Sequence, residues 1–310
     1  MRKNESSLHR QTWMMAKTGI QGWLVLQLLV CMAGNKHCLV ALPSNATSST
    51  PSRAEQLLNI DTAPSCKTKL MVMIVSDVRQ RWKRDALRGS WASPHGGLGG
   101  DKVRYFFVVG MLWDTVPPAI LQEADEYQDI IIVPTDDFDF SMYTHKVVHG
   151  MQLAARNCRF EYFLKVTEFS FVNMFTIGQW LEKLPPKGVY RGRIIHAAGA
   201  QRNANSVWYM PTATYSRAQY PPYAQHAFLL SRDLFGKVVE MEKRYRDVYY
   251  DDVAVAVWLS DHDIHPIQDT AVSLNADCQA PVIIELTSAE LAAYGENMRE
   301  RGNHIQCYAP

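Results

Sequence analysis

The sequence predicts an α/β protein built on a mixed, mostly parallel sheet flanked by helices. Short apolar runs typical of buried strands recur at Lys69–Val75, Val103–Gly110, Asp129–Val133 and Tyr162–Val166. Segments with helical periodicity separate these runs, and such alternation indicates parallel βα units. After the last run the polar pair Thr167-Glu168 follows directly. Ligands of open α/β sheets bind beyond the carboxyl ends of strands, so a ligand is expected at this pair.

Composition is that of an ordinary globular protein. The chain has 310 residues, of which 47% are hydrophobic and 20% charged, and its formal net charge is +1. This charge gives no reason to expect nucleic-acid binding. The cysteines form no C-x-x-C pair, which argues against a structural zinc site. They are Cys31, Cys38, Cys66, Cys158, Cys278 and Cys307. The last four would form two bridges in an oxidising lumen, and buried free thiols are the alternative.

A basic N-terminal stretch precedes the apolar run Gly19–Gly34. The run is shorter than the ~20 residues of a spanning helix, and extending it to Leu42 crosses Asn35-Lys36-His37. One interpretation is a signal-anchor over residues 19–42 with a cytosolic tail over 1–18. The other is a signal peptide cleaved near Ala41 or Ala46, and a buried soluble helix is the third. The first two send the rest of the chain into the secretory lumen.

Residues 43–65 are predicted to form a stem or linker, and 66–310 the luminal domain. The start of the linker is rich in Ser, Thr and Pro, a composition typical of extended connecting segments. It carries the sequon Asn45-Ala46-Thr47, which predicts glycosylation of Asn45 in a lumen.

Helices are predicted between and after the strands from caps, proline positions and apolar faces. They cover Arg79–Trp91, Pro117–Ala124, Thr144–Cys158, Ser231 to about Arg246, Asp251–Leu259 and a last helix that starts at Thr287. Two further strands are predicted at Val189–Ala197 and Ala227–Leu230. The Gly-rich loop Ser93–Asp101 precedes a strand, so it is not a dinucleotide fingerprint.

Several blocks in order resemble the β1,3-galactosyltransferase family, glycosyltransferase family 31. Arg84–Trp91 resembles its "RRxAIRxTW" block, Glu123–Val133 its "E…yxDII" block and Thr144–Lys146 its "LTxK". Further blocks fit other patterns of the family. They are Tyr162–Lys165 and Phe171–Asn173 around the acidic triplet, Trp208-Tyr209 and Tyr220–Tyr223 for "kWyv…YPpY", and Tyr250–Val253 for "EDV".

The resemblance implies a GT-A type nucleotide-diphospho-sugar transferase fold and a type II, single-pass Golgi membrane protein. It implies an inverting, β1,3-type hexosyltransferase that transfers Gal or GlcNAc from UDP-Gal or UDP-GlcNAc to a glycan hydroxyl. Such a transfer needs a base for the acceptor hydroxyl and neutralisation of the leaving diphosphate, for which the family uses Mn²⁺. The alternatives are secretion after cleavage and a catalytically silent relative that binds a glycan, a nucleotide-sugar or a partner transferase.

The sequence departs from the family at its metal site. The Asp-Asp-Asp triplet falls on Thr167, Glu168 and Phe169, and the metal-binding position is Phe169, which cannot ligate a hard cation. The His expected before the last helix is also absent from Val282–Leu286. We therefore expect no family-type metal site, and Glu168 is the one remaining candidate donor. A metal bound by Glu168 and Glu285 in place of the family's ligands would contradict this expectation.

The resemblance assigns roles to the remaining candidate residues, each of which has a structural alternative. Asp252 with Asp251 is expected to be the base, and the alternative is an N-cap pair. The expected nucleotide-sugar contacts are Arg84, Arg88, Lys146 and Glu168. Their alternatives are a solvated basic face for Arg84, an acidic partner such as Asp139 for Lys146 and a satisfied loop carboxylate for Glu168. The expected acceptor contacts are Trp208, Tyr220 and Tyr223, with aromatic packing as the alternative. His226 stands where the family has Gly.

Overall fold

A computed structural model describes residues 66–92, 102–241, 248–273, 282–283, 287 and 289. The predicted tail, anchor and stem with Asn45, the Gly-rich loop, Glu285 and most of the last helix lie outside the described residues, as do Cys278 and Cys307. Within the described ranges, no helix combines the length and apolar character needed to cross a membrane.

Seven strands form one mixed sheet with the order β3-β2-β1-β4-β7-β6-β8. The strands are β1 Lys67–Val75, β2 Val103–Met111, β3 Ile130–Asp136, β4 Arg159–Thr167, β6 Tyr190–Ile195, β7 Tyr223–Ser231 and β8 Ile267–Gln268. Strands β1 to β4 pair in parallel, whereas β7 is antiparallel to both β4 and β6. A small second sheet contains β5 Phe171–Val172, β9 Val272–Ser273 and β10 Val282–Ile283. The predicted mixed, mostly parallel sheet is confirmed.

Helices flank the sheet close to their predicted positions. They are α1 Arg81–Arg88, α2 Pro118–Tyr127, α3 Tyr143–Asn157, α4 Met174–Glu182, α5 Arg232–Met241 and α6 Asp251–Ser260. Pro118 lies in the first turn of α2, where its missing N–H costs nothing. Helix α4 was not predicted, and β7 begins four residues earlier than expected because Tyr223 pairs with Ile195 of β6.

The core forms on the covered faces of the central strands. From Leu70 to Val75 strand β1 is almost completely buried, as is typical of a parallel strand with both faces covered. A disulfide joins Cys66, just before β1, to Cys158, just before β4. Bridging was therefore the right alternative for this pair, and it ties the amino ends of two neighbouring strands.

Candidate active site

A cavity of about 650 Å³ opens at the carboxyl ends of the parallel strands. Its walls come from the ends of β1, β3 and β4, from the start of α3, and from His226 on β7. The acidic lining residues are Asp77, Asp136, Asp137, Asp139 and Glu168. The cavity thus lies at the strand ends where the sequence led us to expect a ligand.

Glu168 lies in the turn after β4 and lines this cavity. One of its oxygens accepts hydrogen bonds from the Ser76 hydroxyl at 2.7 Å and the Asp77 backbone N–H at 3.1 Å. The other oxygen accepts a bond from Lys83 Nζ at 2.7 Å. Lys83 Nζ also lies 3.8 Å from the ring centroid of Phe169. Glu168 is therefore a satisfied carboxylate whose charge is balanced by Lys83.

Lys146 of α3 also lines the cavity, and it pairs with Asp137, a residue of the same acidic loop as Asp139. Lys146 Nζ donates to Asp137 Oδ1 at 2.7 Å and to the backbone carbonyl of Ser76. Burial lowers the pKa of Lys146 despite the opposing charge of Asp137. A Cβ on Gly110 would lie 2.4 Å from Asp137 Oδ1, so a glycine at this position is what lets the carboxylate reach its place.

Asp251 opens helix α6 and is buried against the sheet. Its carboxylate forms an ion pair with Lys165 Nζ at 2.7 Å, and both side chains are almost fully enclosed. Tyr250 is the N-cap residue of α6, so the alternative of an Asp251-Asp252 capping pair is not observed. Lys165 thus neutralises Asp251, the first carboxylate of the Asp251-Asp252 pair.

Asp252 is half-buried beside His226, a residue that lines the cavity. Its two oxygens accept the backbone N–H groups of His226 at 3.3 Å and Val253 at 2.8 Å. Burial, with the charge of Asp251, raises the pKa of Asp252 to about 6. A carboxylate with such a pKa is suited to accept a proton near neutral pH.

His226 occupies a backbone conformation that favours glycine. Its φ is +62°, in the left-handed region, which explains why the family pattern has Gly here. This conformation, within β7, directs its N–H toward Asp252 and its carbonyl toward Lys165 Nζ at 3.1 Å.

Arg84 and Arg88 are engaged with carboxylates of the fold. Arg84 is fully buried and binds both oxygens of Glu123 at 2.7 Å. Arg88 binds both oxygens of Asp129 at 2.8 and 2.9 Å and reaches Glu123 Oε1 at 2.8 Å. The solvated basic face considered for Arg84 is not observed. These contacts favour a structural role for both arginines over phosphate binding.

Of the three aromatic acceptor candidates, Trp208 is exposed, Tyr223 is half-buried and Tyr220 is buried. Trp208 is 53% exposed and packs on Tyr250 and on the cavity-lining Phe140, with ring centroids 5.1 and 5.2 Å apart. Tyr220 is buried against another tyrosine ring, as in ordinary core packing, and Tyr223 is half-buried at the start of β7. Trp208 is therefore the acceptor candidate best placed for contact with a ligand.

The residues at the family's metal position do not fit a divalent cation. Phe169 offers a ring face, and Glu168 already accepts bonds from three donors, one of them the ammonium of Lys83. Glu285 lies outside the described residues. Among the residues that the structure does describe, no group of three or more His, Cys, Asp or Glu side chains is arranged to hold a metal ion.

Sequence reasoning missed Lys83, the pairing of Lys165 with Asp251, and Tyr143. Tyr143 lines the cavity, and burial, with the charges of Asp251 and Asp252, raises its pKa well above the usual range. A signal for Lys83 was present, because it directly precedes the arginine block. A lysine on a basic helix is most often solvated, so the sequence position of Lys83 does not by itself indicate a role in the site.

A mixed, mostly parallel α/β sheet with a cavity at its strand ends is an arrangement typical of ligand-binding α/β enzymes. Comparison with known proteins makes this specific. The sequence profile described as galactosyltransferase matches residues 82–270, more than half of the chain. The chain belongs to the galactosyltransferase family, and the resemblance described above is confirmed.

Relatives with assigned names support this membership. "Beta-1,3-galactosyltransferase 1" of Mus musculus is 28% identical over 273 residues, which cover 83% of this chain and 82% of that relative. "Beta-1,3-galactosyltransferase 2" of Homo sapiens is 28% identical over 219 residues, which cover 67% of this chain and 51% of that relative. Among solved structures, the galactosyltransferase LgtC with donor and acceptor sugar analogs is 11% identical, with a TM-score of 0.37 over 71% of this chain and 88% of LgtC.

Proposed function

We propose that this chain is an inverting hexosyltransferase that transfers Gal or GlcNAc from a UDP-sugar to a glycan hydroxyl in a β1,3 linkage. Family membership supports the reaction class, and the relatives' names support a β1,3 linkage. The observation that carries the proposal is Asp252, a half-buried carboxylate with a pKa of about 6 that accepts the backbone N–H of the cavity-lining His226. The cavity itself is large enough for a sugar nucleotide.

In the proposed step, the acceptor hydroxyl gives its proton to Asp252 while its oxygen attacks C1 of the sugar. The bond between C1 and the phosphate oxygen breaks on the opposite face, and UDP leaves with the electron pair. Lys165 holds Asp251 by an ion pair, so a proton arriving at this acidic pair goes to Asp252. The backbone N–H groups of His226 and Val253 fix the orientation of that carboxylate.

Trp208 is proposed as a platform for the acceptor sugar. Its exposed ring stands on Phe140 and Tyr250, the second of which directly precedes the Asp251-Asp252 pair. Aromatic faces of this kind combine a large contact area with little loss of side-chain entropy. Tyr220 and Tyr223, packed or half-packed nearby, would shape this region and not stack a sugar directly.

The test is transfer of radiolabelled Gal or GlcNAc from the UDP-sugars to a panel of β-linked glycans by the purified full-length chain in detergent. Asp252→Asn should abolish transfer and leave UDP binding in place. Asp263→Asn is the matched control, because Asp263 lies in the exposed turn after α6. UDP-sugar binding without transfer to any acceptor would favour the silent relative, for which the substituted metal position is the motivating observation.

We also propose a type II Golgi membrane protein with residues 1–18 in the cytosol, 19–42 as anchor, 43–65 as stem and 66–310 in the lumen. The Cys66–Cys158 bridge supports an oxidising compartment. Asn45 would then be glycosylated, and Asn45→Gln should remove one glycosidase-sensitive mobility shift. Amino-terminal sequencing of the mature protein separates the anchor from a cleaved leader, which would give a secreted protein.

A further inference from the structure

An ammonium group lies against Glu168 and Phe169, the residues that stand at the family's acidic triplet. Lys83 on α1 reaches across to the turn after β4, where its Nζ lies 2.7 Å from Glu168 Oε1 and 3.8 Å from the centre of the Phe169 ring. Lys83 is 8% exposed and Glu168 6% exposed. The cation is therefore held at a fixed position against two side chains that line the cavity.

The substitution at Phe169 matches this cation chemically. The face of an aromatic ring attracts an ammonium group, whereas a hard divalent ion requires oxygen ligands. The second oxygen of Glu168 is held by Ser76 and by the Asp77 backbone N–H. Glu168 would have to give up Lys83 before it ligated a metal, and that exchange would leave a buried ammonium without its carboxylate partner.

A second ammonium, that of Lys146, lies beside Ser76, the residue that follows β1. Lys146 donates to the carbonyl of Ser76, the residue whose hydroxyl donates to Glu168. Ser76 thus connects the two lysines. It contacts Lys146 directly and Lys83 through Glu168. Lys83 forms an ion pair with Glu168 and Lys146 one with Asp137, so both lysines are held in place before any ligand binds.

We propose that Lys83 supplies the positive charge for the diphosphate of the sugar nucleotide, so that this site binds UDP without a divalent cation. This inference rests on the proposed function. An ammonium has three N–H donors, and a phosphate oxygen is a suitable acceptor for one that Glu168 does not use. When the bond between C1 and the phosphate oxygen breaks, the new negative charge on UDP forms beside a cation that is already in position.

The experiment is calorimetric titration of UDP into the full-length chain in detergent, once in EDTA and once in Mn²⁺. The wild-type protein should bind UDP with the same Kd in both buffers. Lys83→Met should weaken binding at least about tenfold, and Lys83→Arg, which keeps the charge, should stay within about threefold. Lys237→Met is the matched control, because Lys237 lies on the exposed face of α5 and should leave the Kd unchanged.

Lys83→Met alone leaves Glu168 buried without its cation, so the double variant Lys83→Met with Glu168→Gln separates the two effects. If the ammonium itself binds UDP, the double variant remains weak. If it recovers wild-type affinity, the inference is wrong and the loss came from the unpaired carboxylate. Binding that needs Mn²⁺ overturns the inference and leaves the proposed function standing, whereas no UDP binding in either buffer overturns both.

Discussion

Replacement of Arg84 with methionine is expected to destabilise the protein without changing its affinity for a nucleotide. The side chains of Arg84 and Glu123 are each 1% exposed and share two hydrogen bonds of 2.7 Å. Arg84 also donates to the Ser76 hydroxyl and to the carbonyls of Asp77 and Val78. The substitution removes a buried cation together with its hydrogen bonds to these acceptors.

The expected loss of unfolding free energy is at the low end of the range for a broken buried ion pair, because Glu123 keeps its hydrogen bond from Arg88 at 2.8 Å. We expect about 3 kcal/mol, which corresponds to a fall in Tm of about 6–12 °C for a domain of this size. Burial raises the pKa of Glu123, but the hydrogen bonds and charges of Arg84 and Arg88 together lower it. The pair's contribution is thus present above the ordinary pKa of 4.5 and is lost as the pH falls through the lowered pKa.

Thermal unfolding and UDP calorimetry on the same preparations measure both quantities. Arg81→Met is the matched control on the same helix, because Arg81 is 42% exposed and its loss should cost less than about 1 kcal/mol. The Kd for UDP of Arg84→Met, taken well below its Tm, should stay within about twofold of wild type. An unchanged Tm with lost UDP binding would refute this reasoning and return Arg84 to the nucleotide site.

Three further predictions concern the proposed base Asp252, the disulfide and the backbone at His226. The value of kcat/KM should rise with pH through about 6, because Asp252 must be deprotonated to act; a profile flat from pH 5 to 7 would exclude it as the base. Replacing both cysteines of the Cys66–Cys158 bridge with alanine should lower the unfolding free energy by about 2–4 kcal/mol in urea titrations, and an unchanged midpoint would contradict a stabilising bridge. His226→Val should destabilise the protein by about 1–3 kcal/mol more than His226→Gly, because φ there is +62°; equal losses would show that the backbone at His226 carries no strain.

The parallel strands were predictable because each is a continuous apolar run, and their carboxyl ends placed the cavity. Asp252 could be selected because it lies in a recognisable block at a helix start. What could not be predicted is which charges meet across long separations. Arg84 and Lys83 are neighbours in sequence, yet one is paired with Glu123 and the other with Glu168. Their side chains diverge from one helix, and sequence spacing alone does not say which carboxylate lies within reach.

The Cys66–Cys158 bridge also has a mechanical consequence. It joins β1 to β4 at their amino ends, the edge of the sheet opposite the cavity. A pulling force that arrives along the chain before residue 66 passes through a covalent bond into the start of β4, and does not peel β1 away from its neighbours one hydrogen bond at a time. Tension on the amino-terminal side would therefore be divided between two central strands, and it would enter them at the edge of the sheet opposite Glu168.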